Sequence, residues 1–146
     1  MTKQLIAALY CLVSMAVSAQ TTKKAATPAT YKGRQIIVGS GGGFTGRSIS
    51  YYLLDDGKLF TKGSTDSAFT LLGVQTRANT SRVFSALETT CQIKTTTFNH
   101  PGNLYKSVRW KKGKQVFSVV WGDAQQQPPA NYPKFYDSFM AMMRKK

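Results

Sequence analysis

Metal ligands and acids are scarce in this chain of 146 residues: it holds one histidine, His100, two cysteines, Cys11 and Cys91, and six acidic residues. A closed zinc site needs four nitrogen or sulfur ligands, so these residues supply no thiolate–imidazole cluster, and no metal is expected. Paired carboxylates for general acid–base work are equally hard to assemble from so few acids. No apolar run reaches the ~20 residues that a spanning helix needs. The longest, Leu5 to Val17, stops short of that length, and no internal repeat is present.

That run has a different reading. Lys3 precedes it, and Val17-Ser18-Ala19 places small residues where a signal peptidase cuts, so residues 1–19 read as a secretory signal with cleavage before Gln20. Tyr10 before Cys11 argues against a lipoprotein anchor. The expected protein is therefore periplasmic or extracellular, and its mature chain has no transmembrane segment. Cys91 is then the only thiol left, so no internal disulfide forms and a buried, inert cysteine is expected.

Basic residues dominate what is there. Twenty Lys and Arg give a net charge of +14, and the signal contributes only Lys3 to it. Long-range attraction then favours anionic partners, such as a lipid surface or an acidic polymer of the envelope. Five of the cations, Lys106, Arg109, Lys111, Lys112 and Lys114, fall between residues 104 and 121 beside Tyr105 and Trp110. Lysines at such a place also keep sheet edges from pairing with other chains.

Residues 20–32 are small, polar and basic, and read as a flexible leader. The rest, 33–146, is one domain's worth, large enough to bury about two thirds of its unfolded surface. Arg34 to Val38 is rich in β-branched residues, and Ser48 to Leu54 alternates at period two. Asp55-Asp56-Gly57 supplies a tight turn into Lys58 to Thr61, and Lys111-Lys-Gly-Lys114 links Leu104–Trp110 to Gln115–Trp121, which predicts two hairpins. Phe69 to Val74 is apolar but of undecided type, and 95–103 reads as a loop. Val83, Phe84, Leu87 and Cys91 form a helical stripe whose cap is Asn79 or Thr80. A last helix opens at Asn131-Tyr-Pro133. The expected class is α+β, an antiparallel sheet of about five strands with two amphipathic helices.

Three segments carry candidate chemistry. Ser40-Gly-Gly-Gly-Phe-Thr-Gly-Arg-Ser48 satisfies the spacing of a dinucleotide loop at Gly41, Gly43 and Gly46, and nearly that of a phosphate loop. Both motifs need a helix next, whereas the alternating strand 48–54 follows, so no nucleotide and no cofactor are expected. As a loop that bares its backbone, it offers Gly41, Gly42, Gly43, Phe44, Thr45 and Arg47 to a protein or peptide partner. Two readings of Phe44 stay open: an outward anchor, or a side chain folded into the core. Asn99-His100-Pro-Gly-Asn103 and Trp121-Gly-Asp123 flank the strands from 104 to 121, so His100, Asn103 and Asp123 join the candidate site. A hydrolase built on His100 and Asp123 is a third alternative, after the binding protein and the basic module that holds an anionic surface or polymer.

Ser40-Gly-Gly-Gly-Phe-Thr-Gly46, Tyr52-x-Leu54-x-x-Asp-Gly57-x-Leu-Phe60, Asn99-His-Pro-Gly-Asn-x-Tyr105 and Trp121-Gly-Asp123 together resemble a group of small secreted bacterial proteins. The resemblance spans most of 34–143 and implies an antiparallel sheet with two helices. The Gly-Gly-Phe stretch and its strand are also similar to the opening of emfourin, an inhibitor of thermolysin-like metalloproteases. That likeness implies protease inhibition and assigns no inhibitory residue.

Overall fold

Alternating side chains turn the strands into a sheet with two unlike faces. The computed structural model describes residues 25–144, so the expected signal over 1–19 and the start of the leader lie outside the described residues. The strands are β1 (Arg34–Gly42), β2 (Ser48–Leu54), β3 (Lys58–Gly63), β4 (Thr70–Val74), β5 (Phe98–His100), β6 (Leu104–Lys112) and β7 (Gln115–Trp121). They form one seven-stranded sheet in the order β4-β3-β2-β1-β6-β7-β5. All pairings are antiparallel except that of β5 with β7, which is parallel.

This overturns the expected α+β class with about five antiparallel strands and two amphipathic helices, and with it the fold implied by the family resemblance. Sheet dominates, the sheet is mixed, and the helices are two short ones, α1 (Arg77–Ser85) and α2 (Asn131–Arg144). The two unforeseen strands have physical reasons for their silence. β4 is an edge strand whose residues are almost all exposed, so no alternation marks it. β5 is three residues long, and a parallel partner two connections away leaves no local signature.

One face of the sheet is covered. Ile36, Val38, Leu53, Val108, Trp110 and Val119 meet Val83, Phe84, Leu87, Ile93, Tyr132 and Phe139, and all of them are buried. α1 begins earlier than the sequence suggests: Thr76 is its cap, and its side chain accepts from Asn79 N at 3.2 Å. At Ala86–Thr90 the helix widens into a π turn, where Cys91 N donates to Ala86 O at 2.9 Å. The wider turn keeps Leu87 and Cys91 inward and delivers Glu88 to the sheet. There its carboxylate accepts from Trp110 Nε1 at 2.7 Å and from Arg34 Nη1 at 3.1 Å. α2 is stitched to the end of this turn: Tyr132 Oη donates to Cys91 O at 2.9 Å, and Asn131 Nδ2 to Thr90 O at 2.9 Å.

The other face is open. Phe69 covers part of it, edge-on to Tyr52 at 5.1 Å and to Phe60 at 6.5 Å between ring centroids. The second half of the leader docks beside it: residues 27–31 make a turn, and Gln35, buried on this face, donates from Nε2 to Pro28 O at 3.0 Å.

Candidate functional site

β1 and β2 pair up to Gly41 and Ser48, which leaves the segment between them to close the hairpin. Gly42 N donates to Arg47 O at 3.2 Å and Gly46 N to Gly43 O at 3.1 Å, so Phe44 and Thr45 occupy the tip of a tight turn. Gly42, Gly43 and Gly46 all take positive φ, which a side chain resists. Phe44 therefore projects fully into solvent, and of the two readings left open, burial in the core is excluded. Arg47 and Thr45 are exposed beside it.

The structure brings the other two motifs to the same end of the sheet. β5 and β6 flank β7, so the loop 101–103 must cross the end of β7 where Gly122 lies. A Cβ on Gly122 would collide with Leu104 O, and the bare backbone is what lets the strands cross. Asp123 N donates to His100 O at 3.1 Å, and Gly43 N to Asn103 O at 2.7 Å. His100, Asn103, Gly122 and Asp123 thus join the glycine turn through backbone atoms.

Their side chains do other things. The His100 ring lies edge-on to Phe98 at 4.7 Å, and the Asp123 carboxylate accepts from Gln125 N at 2.8 Å. Among the described residues no hydrogen bond joins the His100 imidazole to Asp123. Cys91 sits elsewhere, under α2, with its thiol donating to Asn131 O at 3.7 Å and pushed up in pKa by burial. No group of three His, Cys, Asp or Glu capable of holding a metal is found among the described residues. Nor is any helix among them long and apolar enough to cross a membrane.

Below the turn lies a cleft of about 600 Å³, lined by Ser40, Gly42, Arg47, Ile49, Leu104, Lys106 and Trp121. It lies on the helix side of the sheet, at the end where the strands run past α2. The register explains its floor, since Ser40 faces Ile49 on one side and Lys106 on the other, and Lys106 faces Trp121. Two of its lining residues rest on Tyr136 of α2, whose ring is edge-on to Trp121 at 5.7 Å and 4.7 Å from Lys106 Nζ. Ile49 and Leu104 are exposed at its rim, near Phe44. Sequence reading assigned none of Ile49, Leu104, Lys106 and Trp121 to the candidate site. The pairing of Ser40 with Ile49 follows from centring the hairpin on the glycine turn, but the approach of β6 to β1 has no local signal.

A comparison with protein-family models found no match for the chain, and one with curated proteins found none.

Proposed function

We propose that this is an exported, non-enzymatic binding protein that docks a protein partner through the turn 40–47, and that inhibition of a metalloprotease is its activity. Phe44 carries the reading. Phe44 is fully exposed on a turn closed by two backbone hydrogen bonds, and none of the described residues covers it. Aromatic side chains of this kind are the usual anchors of protein interfaces, with truncation costing about 2 kcal/mol or more. Exposed Leu104 and Ile49 extend the apolar surface toward the cleft, and clustered exposed apolar groups mark docking sites. Arg47 and Lys106 add positive charge at its edges and favour a partner with an acidic rim.

The likeness of the Gly-Gly-Phe stretch to emfourin names the partner class. A thermolysin-like metalloprotease, a serine protease and a cysteine protease, each incubated with the protein, form the test. Selective loss of metalloprotease activity, with the chain intact on a gel, is the expected result. Full activity of all three, or loss that merely tracks cleavage of the chain, would overturn inhibition.

A further inference from the structure

None of the seven strands contains an Asp or a Glu, although Lys and Arg recur along them. The register sorts these cations between the two faces. Arg34 and Lys106 lie on the helix side, 4.8 Å from the Phe84 ring and 4.7 Å from the Tyr136 ring. Lys62, Arg109 and Lys111 fall on the open face, opposite Ser50, Ile37 and Gln35 respectively. Among the described residues the ion pairs join Arg34 to Asp55 and Glu88, and Lys58 to Asp56, so these three cations have no carboxylate partner.

Arg109 and Lys111 are two residues apart on β6, about 7 Å, and Lys62 lies three strands away and level with Ser107, about 16 Å from Arg109. Arg109 and Lys111 line a hollow of about 280 Å³ with Ile37, Tyr52 and Phe69, and Pro28 and Ala29 of the leader turn wall its side. Ser50, Ser107 and Ser118 place hydroxyls on the same face.

We propose that this open face binds an acidic polysaccharide, a linear chain of sugar rings that carries carboxylate or sulfate groups. Charge complementarity supplies the attraction: three cations with no carboxylate partner among the described residues are spread over a surface whose strands hold no anion to oppose a ligand. The aromatic chemistry selects sugar over nucleic acid. Single-stranded nucleic acid is held by bases stacking on free rings, whereas here Phe69 is engaged with Tyr52 and is capped by Lys62 Nζ at 4.9 Å. Serine hydroxyls instead offer donors and acceptors to ring hydroxyls and sulfates. The site is separate from the Phe44 turn.

Titration with a heparin oligosaccharide tests it, using two double variants that remove the same charge from one hairpin. Arg109→Ala with Lys111→Ala removes two of the three open-face cations, while Lys112→Ala with Lys114→Ala removes one cation from the helix side and one from the hairpin tip. The first pair is expected to weaken binding at least about tenfold and the second by less than about twofold. Arg109→Gln alone, which keeps a polar side chain, is expected to move binding in the same direction. Phe44→Ala is expected to leave it unchanged. Equal losses from the two doubles would reduce the effect to net charge and overturn the proposal. So would oligothymidylate binding as tightly as heparin with the same dependence on Arg109.

Discussion

Gly42 and Gly122 let backbones approach at the loop end of the molecule where a side chain would collide. A Cβ on Gly42 would meet Asn103 O, and its φ of 97° is already one that side chains avoid. Gly42→Ala is therefore expected to cost more than about 1 kcal/mol, because neither the turn nor the opposed backbone can yield, and urea unfolding measures it. At the other end of β1, Asp55 gathers Tyr31 Oη, Arg34 N at 3.0 Å and Arg34 Nε at 3.3 Å. Partial burial alone would raise its carboxyl, but the hydrogen bonds from Tyr31 and Arg34 outweigh that and hold it below its ordinary value of 3.8. A folded-state pKa below the unfolded one gives stability that is present above pH 3.8 and lost as the pH falls through the lowered value. Asp55→Asn is expected to cost about 1.5–3 kcal/mol at neutral pH and to flatten that acid loss, read from urea midpoints between pH 2 and 5. An acid limb that persists unchanged in Asp55→Asn would assign it to other carboxylates.

Among the elements, β4 is the most exposed. Leu71 and Leu72 stand out at 53 % and 40 %, and the outer edge of Thr70–Val74 carries no charge or proline to discourage another strand. Leu71→Lys is expected to suppress light scattering on heating while shifting stability by less than about 0.5 kcal/mol. Scattering that is unchanged would locate the aggregation elsewhere. The same strand shows what a sequence conceals. Hairpins β2–β3 and β6–β7 were legible because alternation and turn residues are local properties, and the 83–91 stripe was legible because a buried helix face is periodic. β4 buries neither face and so leaves no period. The π turn was invisible because Leu87 and Cys91 suit either winding. The backbone links from Asn103 to Gly43 and from Asp123 to His100 are long-range, so sequence reading singled out those motifs without the crossing that explains them. Phe44 was named from its place in the glycine-rich segment between two strands, and only the closed turn shows which way it points.

Taken whole, the molecule separates its surfaces. Helices cover one face of the sheet, the strands expose no acid on the other, and the Phe44 turn stands at one end. Both proposed partners belong outside the cytoplasm, in keeping with the signal expected over 1–19. Amino-terminal sequencing of the protein recovered after export is expected to begin at Gln20, and a chain that still starts at Met1 would contradict export by cleavage. The most direct measurement compares wild type and Phe44→Ala for inhibition of a thermolysin-like metalloprotease and for melting temperature. An exposed anchor requires inhibition to weaken about thirtyfold or more with melting unchanged. Undiminished inhibition by Phe44→Ala, or a lowered melting temperature accounting for the loss, would contradict it.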